Sequence, residues 1–312
     1  SKGGSILRMI EGYLDEEIFR KGVSEYLSKY KYSNATSSDL WNSLAKVSNK
    51  PIKQITEQWI RQAGYPLVDA TIENQNLVLQ QKRFVFKHDD RTLWPIPLVI
   101  KADDKTVIDL MDKQKKVIAL EKPPELIKIN YGQTGFYRVN YPDGYLSKLR
   151  FSIPDRMLSS LDRWGIQNDL FELSRNGEVK IDKYLDFSKS YFNEDSYLVL
   201  GDIHQNMRAI HFVFSQETFW DSIWLRFKNY HKDTFRRVLD KLGLDPKKDE
   251  SQKDALLREL AIRYCGFVED PEVLDKAKEK FEDFIEEDKE VKEAKEAKKE
   301  AKAKKELTKA KK

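Results

Sequence analysis

The sequence is poor in several features that mark particular classes of protein. Its 312 residues include a single cysteine, Cys265, so no disulfide can form within the chain, which suits a reducing, cytoplasmic setting. No apolar run approaches the 18 or so residues that cross a bilayer, and no stretch has the pattern of a signal peptide. A glycine-rich phosphate loop is also missing. These absences argue against a disulfide-stabilised secreted domain, a membrane partner and a nucleotide phosphate site.

Histidine is scarce, and its spacing does not predict a metal site. The four histidines are His88, His204, His211 and His231, and none of them is followed by Glu. On one helix His204 and His211 would share a face but stand about 10.5 Å apart, whereas zinc needs donors at about 2 Å. His88 lies beside two aspartates in a polar stretch that is typical of a turn. We therefore expect structural or surface roles for the histidines and no metal ligand in this chain.

Other candidate catalytic groups also lack a suitable setting in the sequence. Cys265 stands between Tyr264 and Gly266 without a nearby His or basic pair, which predicts a buried apolar cysteine rather than a nucleophile. Carboxylate doublets occur at predicted helix starts or on predicted exposed faces: Glu16-Glu17, Glu194-Asp195 and Glu286-Glu287. General acid or base catalysis needs shifted pKa values in a pocket. No residue of this chain is therefore predicted to be catalytic.

The basic charge of the chain is confined to its last segment. Residues 289–312 hold 11 Lys and 5 Glu, a net charge of +6, so residues 1–288 sum to about −2 against +4 for the whole chain. The folded part therefore gives no sign of a nucleic-acid surface. The Lys/Glu/Ala-rich segment 289–312 predicts a solvated helix or a frayed tail, with an anion-binding tail as the alternative.

Hydrophobic periodicity divides the chain into helices, then strands, then helices. The length predicts two or three domains. Helical spacing predicts four helices before Gly64: residues 2–14, a helix capped by Asp15, one starting at Ser37 or Ser38, and one opened by Pro51. A period of two then predicts about eight strands, at 67–72, 77–81, 83–87, 98–102, 106–110 and 116–120 and as a pair within 127–141. Pro95 and Pro97 fit an edge strand or a loop. The spacing of the predicted strands favours a small antiparallel β-sandwich.

The helical period returns at Ile153 and continues to the end. It predicts helices at 156–174, 181–192, 196–214, 217–242, 251–266 and 271–288. Successive helix pairs with short connections are typical of an α-solenoid. The predicted fold is therefore a multidomain α and β protein, with domains at 1–66, 67–142 and 143–288 and the tail at 289–312.

The stretch Ile127–Asp143 marks the change from strands to helices. Ile127, Ile129 and Tyr131 alternate with polar residues, and a second β-prone run follows Gly135. This pattern predicts a hairpin-like element, with Gly132 and Gly135 at its turn. We expect Gly135 to have a positive φ, which glycine adopts at little steric cost.

Three motifs give this chain a resemblance to a known family. Asn130 and the run Gly135–Tyr141 resemble the signature that closes the β-sandwich of the aminopeptidase N family of zinc aminopeptidases. Lys2–Ile10 resembles the lysine-glycine-rich helix start of that family, and Trp59–Val68 resembles the exit from its catalytic domain. The motifs occur in family order, with family-like spacing, over about 140 residues.

The resemblance implies a fold and a zinc site. The fold would be the last helices of a thermolysin-like catalytic domain, a β-sandwich, and a solenoid-like helical domain that is shorter than in the family. The family binds zinc through a His-Glu-x-x-His helix and a further Glu, and it binds the substrate amine through a Gly-x-Met-x-Asn loop. Neither motif occurs here. The family's oxyanion-binding Tyr would fall just before Ser1, so Lys2, Gly3 and Gly4 are at most neighbours of the active-site wall.

These observations predict the C-terminal fragment of a cytoplasmic zinc aminopeptidase that removes N-terminal residues from peptides. The chain starts Ser-Lys-Gly-Gly without an initiator Met, which fits a fragment or a processed product. It would need zinc only in the intact enzyme, and its partners would be peptide substrates and the missing catalytic portion. The alternative is a non-enzymatic interaction module, built from the β-sandwich and the helical domain, that binds peptides or proteins.

Overall fold

The structure is a computed structural model that describes residues 2–85 and 92–310, with the backbone alone at 291, 294, 297 and 300–310. Four helices open the chain: α1 (Lys2–Leu14), α2 (Glu16–Lys29), α3 (Ser37–Ser48) and α4 (Ile52–Arg61). Their starts follow the local sequence. Asp15 accepts a hydrogen bond from the Glu17 amide at the start of α2, and Thr36 forms a capping box with Asp39 at the start of α3. The four predicted helices are therefore confirmed.

Strands follow α4 and form two small sheets. The strands of the described residues are β1 (Pro66–Glu73), β2 (Asn76–Arg83), β3 (Ile96–Ala102), β4 (Lys105–Met111), β5 (Lys115–Ala119), β6 (Ile127–Ile129) and β7 (Arg138–Asn140). One sheet has the order β5-β2-β1-β7 and the other β4-β3-β6. Neighbouring strands are antiparallel except β1 and β7, which run parallel with Val68 opposite Val139. The prediction of an entirely antiparallel arrangement is wrong at this pair.

The predicted hairpin within Ile127–Asp143 is also wrong. β6 pairs with β3 in one sheet, and β7 pairs with β1 in the other. A 3-10 turn at Tyr131–Gln133 carries the chain between the two sheets. Local alternation predicted both strands, but it does not specify which strand each of them pairs with.

Two other predictions about the strands are only partly met by the structure. β2 ends at Arg83, so no strand covers residues 84–85, and the rest of the predicted strand 83–87 lies outside the described residues, as does His88. Pro97 lies in the part of β3 that pairs with β4 alone, because β6 pairs with β3 only at Ile100–Ala102. The proline ring therefore occupies an edge-like part of the strand, as a residue without an N–H requires.

Helices continue to the end of the described chain. They are α5 (Asp143–Ser152), α6 (Ser160–Arg175), α7 (Ile181–Ser188), α8 (Tyr197–Phe214), α9 (Trp220–Lys228), α10 (Lys232–Leu242), α11 (Gln252–Phe267) and α12 (Pro271–Ala310). Helix α5 was not predicted, because its buried leucines, Leu146 and Leu149, are too few to produce a clear period. The single helix predicted at 217–242 is two helices, since His231 has a φ of 57° and cannot continue a helix.

The chain divides into two compact units, Ser1–Ile210 and His211–Lys312. The first contains the strands and helices α1–α7, and its core includes Trp59, Trp94 and Tyr184. The second has a core in which the Phe235 and Tyr264 rings stack at 4.0 Å. Helix α12 runs without a break to Ala310, so the tail is a helix rather than a frayed segment. Among the described helices, none combines the length and the apolarity that crossing a membrane requires.

Candidate functional site

The three motifs that carry the family resemblance meet in the first unit. The ring of Phe136 packs against Trp59 at 6.1 Å and against Tyr65 at 5.3 Å. Strand β7 pairs with the start of β1, and Asn140 donates a hydrogen bond to Asp69 at 2.8 Å. Helix α1 reaches the same region through Arg8, whose guanidinium donates to the Gly132 carbonyl at 3.1 Å. We call this meeting point the motif junction.

Asn130 holds the turn at the centre of the motif junction. It is 1% exposed and has a φ of 56°, a left-handed conformation that Asn tolerates better than most residues. Its side-chain oxygen accepts from the Gly135 amide at 2.7 Å, and its side-chain nitrogen donates to the Gly135 carbonyl and to Gln133 Oε1, both at 3.0 Å. One amide group thus satisfies both backbone groups of Gly135.

The two glycines of the turn have different roles in the structure. Gly132 has the positive φ, +70°, whereas Gly135 does not lie among the positive-φ residues of the described chain. The prediction of a positive φ at Gly135 is therefore wrong. A Cβ at Gly135 would overlap the Tyr137 ring and lie 3.0 Å from Asn130 Oδ1. Glycine is required there for space, because no side chain fits between the Asn130 amide and Tyr137.

Helix α6 binds the other side of this turn. Asp162 Oδ1 accepts from the Gly132 amide at 2.7 Å, and Asp162 Oδ2 accepts from the Ser159 hydroxyl. Lys128 is 1% exposed; its ammonium donates to the carbonyls of Ile129 and Asn130 and lies 3.6 Å from Asp162. Burial lowers the pKa of Lys128, and Asp162 opposes this effect. The buried lysine and aspartate therefore fix the turn on α6 through a charge pair.

A second charge pair joins β7 to α6. Arg138 donates to Asp169 at 3.0 Å and to Asn168 at 2.8 Å, and Asp169 also accepts from the Val139 amide at 3.1 Å. The Arg138 guanidinium lies over the rings of Tyr65 and Phe84. Burial raises the pKa of Asp169 to about 6, against the opposite effect of Arg138. Neither Asp162 nor Asp169 was singled out from the sequence, because nothing local distinguishes them from the other acidic residues of a helix.

Lys2, Gly3 and Gly4 lie at the start of α1, beyond its contact with the turn. Gly3 and Gly4 are exposed, and a Cβ at Gly3 would meet no heavy atom of the described residues within 4 Å. Lys2 donates to the Gln62 carbonyl just after α4, and burial lowers its pKa. Further along α1, a Cβ at Gly12 would lie 2.7 Å from Thr134 Cβ, so the helix approaches the turn closely. The start of α1 is thus an exposed surface on a fixed helix.

The residues present do not fit the zinc ion of the family. Among residues 2–85 and 92–310, no three His, Cys, Asp or Glu side chains come together in a way that could hold a metal ion. His211 packs against the rings of Trp220, Trp224 and Phe267 at 5.0–5.3 Å. His231 is buried, which lowers its pKa to about 4. These two histidines have structural settings, and neither is part of a ligand set.

The remaining candidates from the sequence are also structural. Cys265 is buried, and burial raises the pKa of its thiol to about 12, so it is not a nucleophile at neutral pH. Glu16 and Glu17 are exposed in the first turn of α2. Glu194 is buried at the start of a helix, and it receives two hydrogen bonds from Arg163 at 2.7 and 2.8 Å. Its carboxylate also accepts from the Ser196 amide, just before α8.

Comparison with known proteins matches both ends of the chain to one peptidase family. The Peptidase family M1 domain matches residues 1–59, and the ERAP1-like C-terminal domain matches residues 126–296. Probable aminopeptidase 2 of Sulfurisphaera tokodaii is 40% identical over 203 residues, which cover 65% of this chain and 25% of that protein. Leucyl aminopeptidase of Saccharolobus solfataricus is 35% identical over 243 residues, which cover 78% of this chain and 30% of that protein.

A further relative extends the match over most of the chain. Tricorn protease-interacting factor F2 of Thermoplasma volcanium is 32% identical over 291 residues, covering 87% of this chain and 35% of that protein. The chain therefore spans about a quarter to a third of the length of these relatives. Because the ERAP1-like C-terminal domain alone matches more than half of its residues, the chain belongs to the M1 family of aminopeptidases.

Proposed function

We propose that this chain is the C-terminal part of a zinc aminopeptidase that releases N-terminal residues from peptides. It supplies the base of the catalytic domain in residues 1–66, a β-sandwich spacer in 67–142 and a helical cap in 143–288. The relatives named aminopeptidase and the order of the two family matches support this assignment. A cytoplasmic location is part of the same proposal.

One observation carries the proposal. The start of α1, where the resemblance puts the wall of the active site, is exposed at Gly3 and Gly4, while the rest of α1 is fixed against the Asn130 turn. A helix held in this way can present its first turn to the rest of the catalytic domain at a defined angle. The zinc ligands and the amine-binding loop belong to a part of the protein other than residues 1–312.

The test is a chimera in which this chain replaces the matching C-terminal part of the Saccharolobus solfataricus relative. We expect the chimera to hydrolyse aminoacyl-coumarin substrates in a chelator-sensitive way, and we expect this chain alone to be inactive and to hold no stoichiometric zinc after dialysis. Zinc bound tightly at one ion per chain, or activity of this chain alone that resists chelators, would contradict the proposal. A folded but inactive chimera would contradict the assigned role.

A matched pair of variants tests the position of the active-site wall. Gly3→Leu and Gly144→Leu both add a side chain to a helical glycine with nothing within 4 Å of its Cβ position. In the chimera, Gly3→Leu should lower kcat/KM at least tenfold with an unchanged Tm, because its side chain intrudes on the wall. Gly144→Leu, in α5, should leave kcat/KM unchanged. Equal effects of the two variants would show that α1 does not border the site.

A further inference from the structure

Asp202 of helix α8 is a half-buried carboxylate that the proposed function does not explain. Four neutral side chains donate hydrogen bonds to it: Asn168 at 3.1 and 3.2 Å, Asn206 at 3.4 Å, Gln167 and Trp164. These donors hold the carboxylate in one position, but none of them brings a positive charge. The negative charge of Asp202 is therefore oriented without being neutralised.

The lack of a cation sets Asp202 apart from the buried carboxylates around it. Three of these each have a cation within 4 Å: Glu194 with Arg163, Asp169 with Arg138, and Asp162 with Lys128. Among the side chains that the structure describes, no Lys, Arg or His forms such a pair with Asp202. Burial raises the pKa of Asp202, against the opposite effect of its hydrogen bonds. Because a buried charge is normally paired, Asp202 can accept a cation from outside the chain.

The Asp202 carboxylate lies where the exposed faces of α6 and α8 meet. On α6, Leu161, Trp164 and Asn168 fall within about 60° of the helix circumference, and on α8, Leu198 and Asp202 fall within about 40°. The hydrogen bonds from Trp164 and Asn168 to Asp202 join the two faces. Leu161 and Leu198 are 39 and 40% exposed, and the other three residues are half-buried. We call these five residues the Asp202 face.

The two leucines of the Asp202 face stand on the same side of the carboxylate. Arg163, near the start of α6, pairs with Glu194, just before α8, so both helices start on this side. Each leucine precedes the hydrogen-bonded residue of its own helix by about one turn, or roughly 5.4 Å. This distance matches the aliphatic stem of a lysine or an arginine. A basic side chain can therefore pack beside Leu161 and Leu198 and still reach the carboxylate.

We propose that the Asp202 face binds an arginine or lysine side chain of a peptide, with the cationic group on Asp202 and the aliphatic stem beside the two leucines. The indole of Trp164, next to the carboxylate, is a further group that attracts cations. A metal ion does not fit, since within residues 2–85 and 92–310 no three ligand side chains come together.

The apolar part of the Asp202 face favours a peptide over a small free cation. Neighbouring helix axes lie about 8–10 Å apart, whereas one aliphatic stem is about 4 Å wide, so a single stem does not cover both leucines. Apolar residues that flank the basic one in a peptide would cover the remainder. In taking a peptide as the ligand, the inference rests on the proposed function.

NMR of the tryptophan indoles in the full chain tests the binding directly. The chain has six tryptophans, and the Trp164 indole signal is assigned by its loss in Trp164→Phe. The probe is the acetylated pentapeptide amide Ala-Leu-Arg-Leu-Ala, and its control carries citrulline, a neutral isostere, in place of the arginine. The arginine peptide should shift the Trp164 signal and bind at least about tenfold more tightly than the control. Equal affinities, or no shift at about 10 mM peptide, would overturn the proposal.

A pair of matched variants tests the position of the bound cation. Leu198→Lys places an ammonium one turn before Asp202, where it competes for the carboxylate, so the arginine peptide should bind at least about tenfold more weakly. Leu225→Lys, on α9, makes the same change at a leucine that is 65% exposed, and it should bind the peptide as wild type does. Both leucines are exposed, so both variants should fold, which circular dichroism checks. Wild-type affinity in Leu198→Lys, or equal losses in the two variants, would refute the proposal.

Butylguanidinium, which is an arginine side chain without the peptide, tests the class of ligand. It should bind at least about tenfold more weakly than the arginine peptide, because it leaves part of the two leucines uncovered. Equal affinity would show that the ligand is a small free cation and would overturn the peptide as ligand. All of these measurements use the chain without zinc. A failure here therefore leaves the chimera test of the proposed function intact, and an inactive chimera leaves the binding result intact.

Discussion

Replacing Asn130 with Ala should destabilise the first unit by about 3–5 kcal/mol. The variant loses four hydrogen bonds, to Gln133 Oε1, to the amide and the carbonyl of Gly135 and, at 3.4 Å, to the Tyr137 carbonyl, at about 0.5–1.5 kcal/mol each. Asn130 is 1% exposed and Gly135 is half-buried, so leaving the two backbone groups of Gly135 without the Asn130 amide adds to the loss. Alanine is also less favourable than asparagine at a φ of 56°, by about 1 kcal/mol.

Asn74 provides a matched control for the backbone contribution. It has the same φ of 56°, but it is exposed in the turn between β1 and β2. Asn74→Ala should therefore lose only the backbone preference, about 1 kcal/mol. The difference between the two variants, about 2–4 kcal/mol, is the contribution of the Asn130 side chain.

The measurement has to resolve the two units, because a chain with two compact units does not unfold in a single two-state step. Native-state amide exchange, read on peptides from β1 and β7, reports the opening free energy of the first unit alone. Peptides from α10 and α11 report the second unit, and they should not change. An Asn130→Ala variant no less stable than Asn74→Ala would refute the assignment of the Asn130 amide as the group that holds the turn.

Four other variants are measured against wild type by the same native-state amide exchange, each read in the unit that carries the substituted residue. Gly135→Ala should lose about 2–3 kcal/mol, because its Cβ overlaps the Tyr137 ring, whereas Gly132→Ala should lose only about 1 kcal/mol, because its φ is +70°; equal losses would show that space is not the constraint. Asp169 has a pKa of about 6 in the folded chain and about 3.9 when unfolded, so its contribution to stability falls, on the order of 3 kcal/mol, as the pH rises from 4 to 6. Asp169→Asn should remove this part of the pH dependence, and an unchanged slope between pH 4 and 6 would contradict the raised pKa. The pH dependence that His231 contributes has the opposite sign, since its pKa is about 4 in the folded chain and about 6.5 when unfolded. Stability is therefore lost, on the order of 3 kcal/mol, as the pH falls from 6.5 to 4. His231→Asn, which tolerates the φ of 57°, should flatten that loss in the second unit.

Local signals predicted most helices and several strands because each depends on neighbouring residues. Asp15 caps α2 through the Glu17 amide, two positions away, and the amphipathic face of α4 repeats within ten residues. The pairing of strands has no such local code. β1 and β7 pair across about 70 residues, and the sequence of neither strand specifies the other as its partner or the parallel direction. The break between α9 and α10 was not predicted either, because nothing in the neighbouring sequence distinguishes His231, with its φ of 57°, from a histidine inside a helix.

The motifs were visible in the sequence, but the groups that hold them together were not. Asn130 and Gly135 belong to a recognisable signature, whereas their supports on α6, Asp162 and Asp169, stand among other acidic residues of a helix. Only the fold brings Asp162 to the Gly132 amide, 30 positions away. The reason that Gly135 is a glycine is also tertiary, because the excluding ring of Tyr137 folds back over it.

The shared hydrogen bonds of the Asn130 turn make the motif junction a single structural element. Gly132 uses its carbonyl to accept from Arg8 of α1 and its amide to donate to Asp162 of α6, so a displacement of this residue moves its contacts with both helices. The exposed start of α1 is therefore positioned by residues up to 124 positions away along the chain. A signature without a catalytic side chain can consequently influence an active site through the orientation of a helix. On this argument, substitutions at the turn should lower the activity of the proposed enzyme by misplacing the Lys2–Gly4 surface, while leaving the zinc site intact.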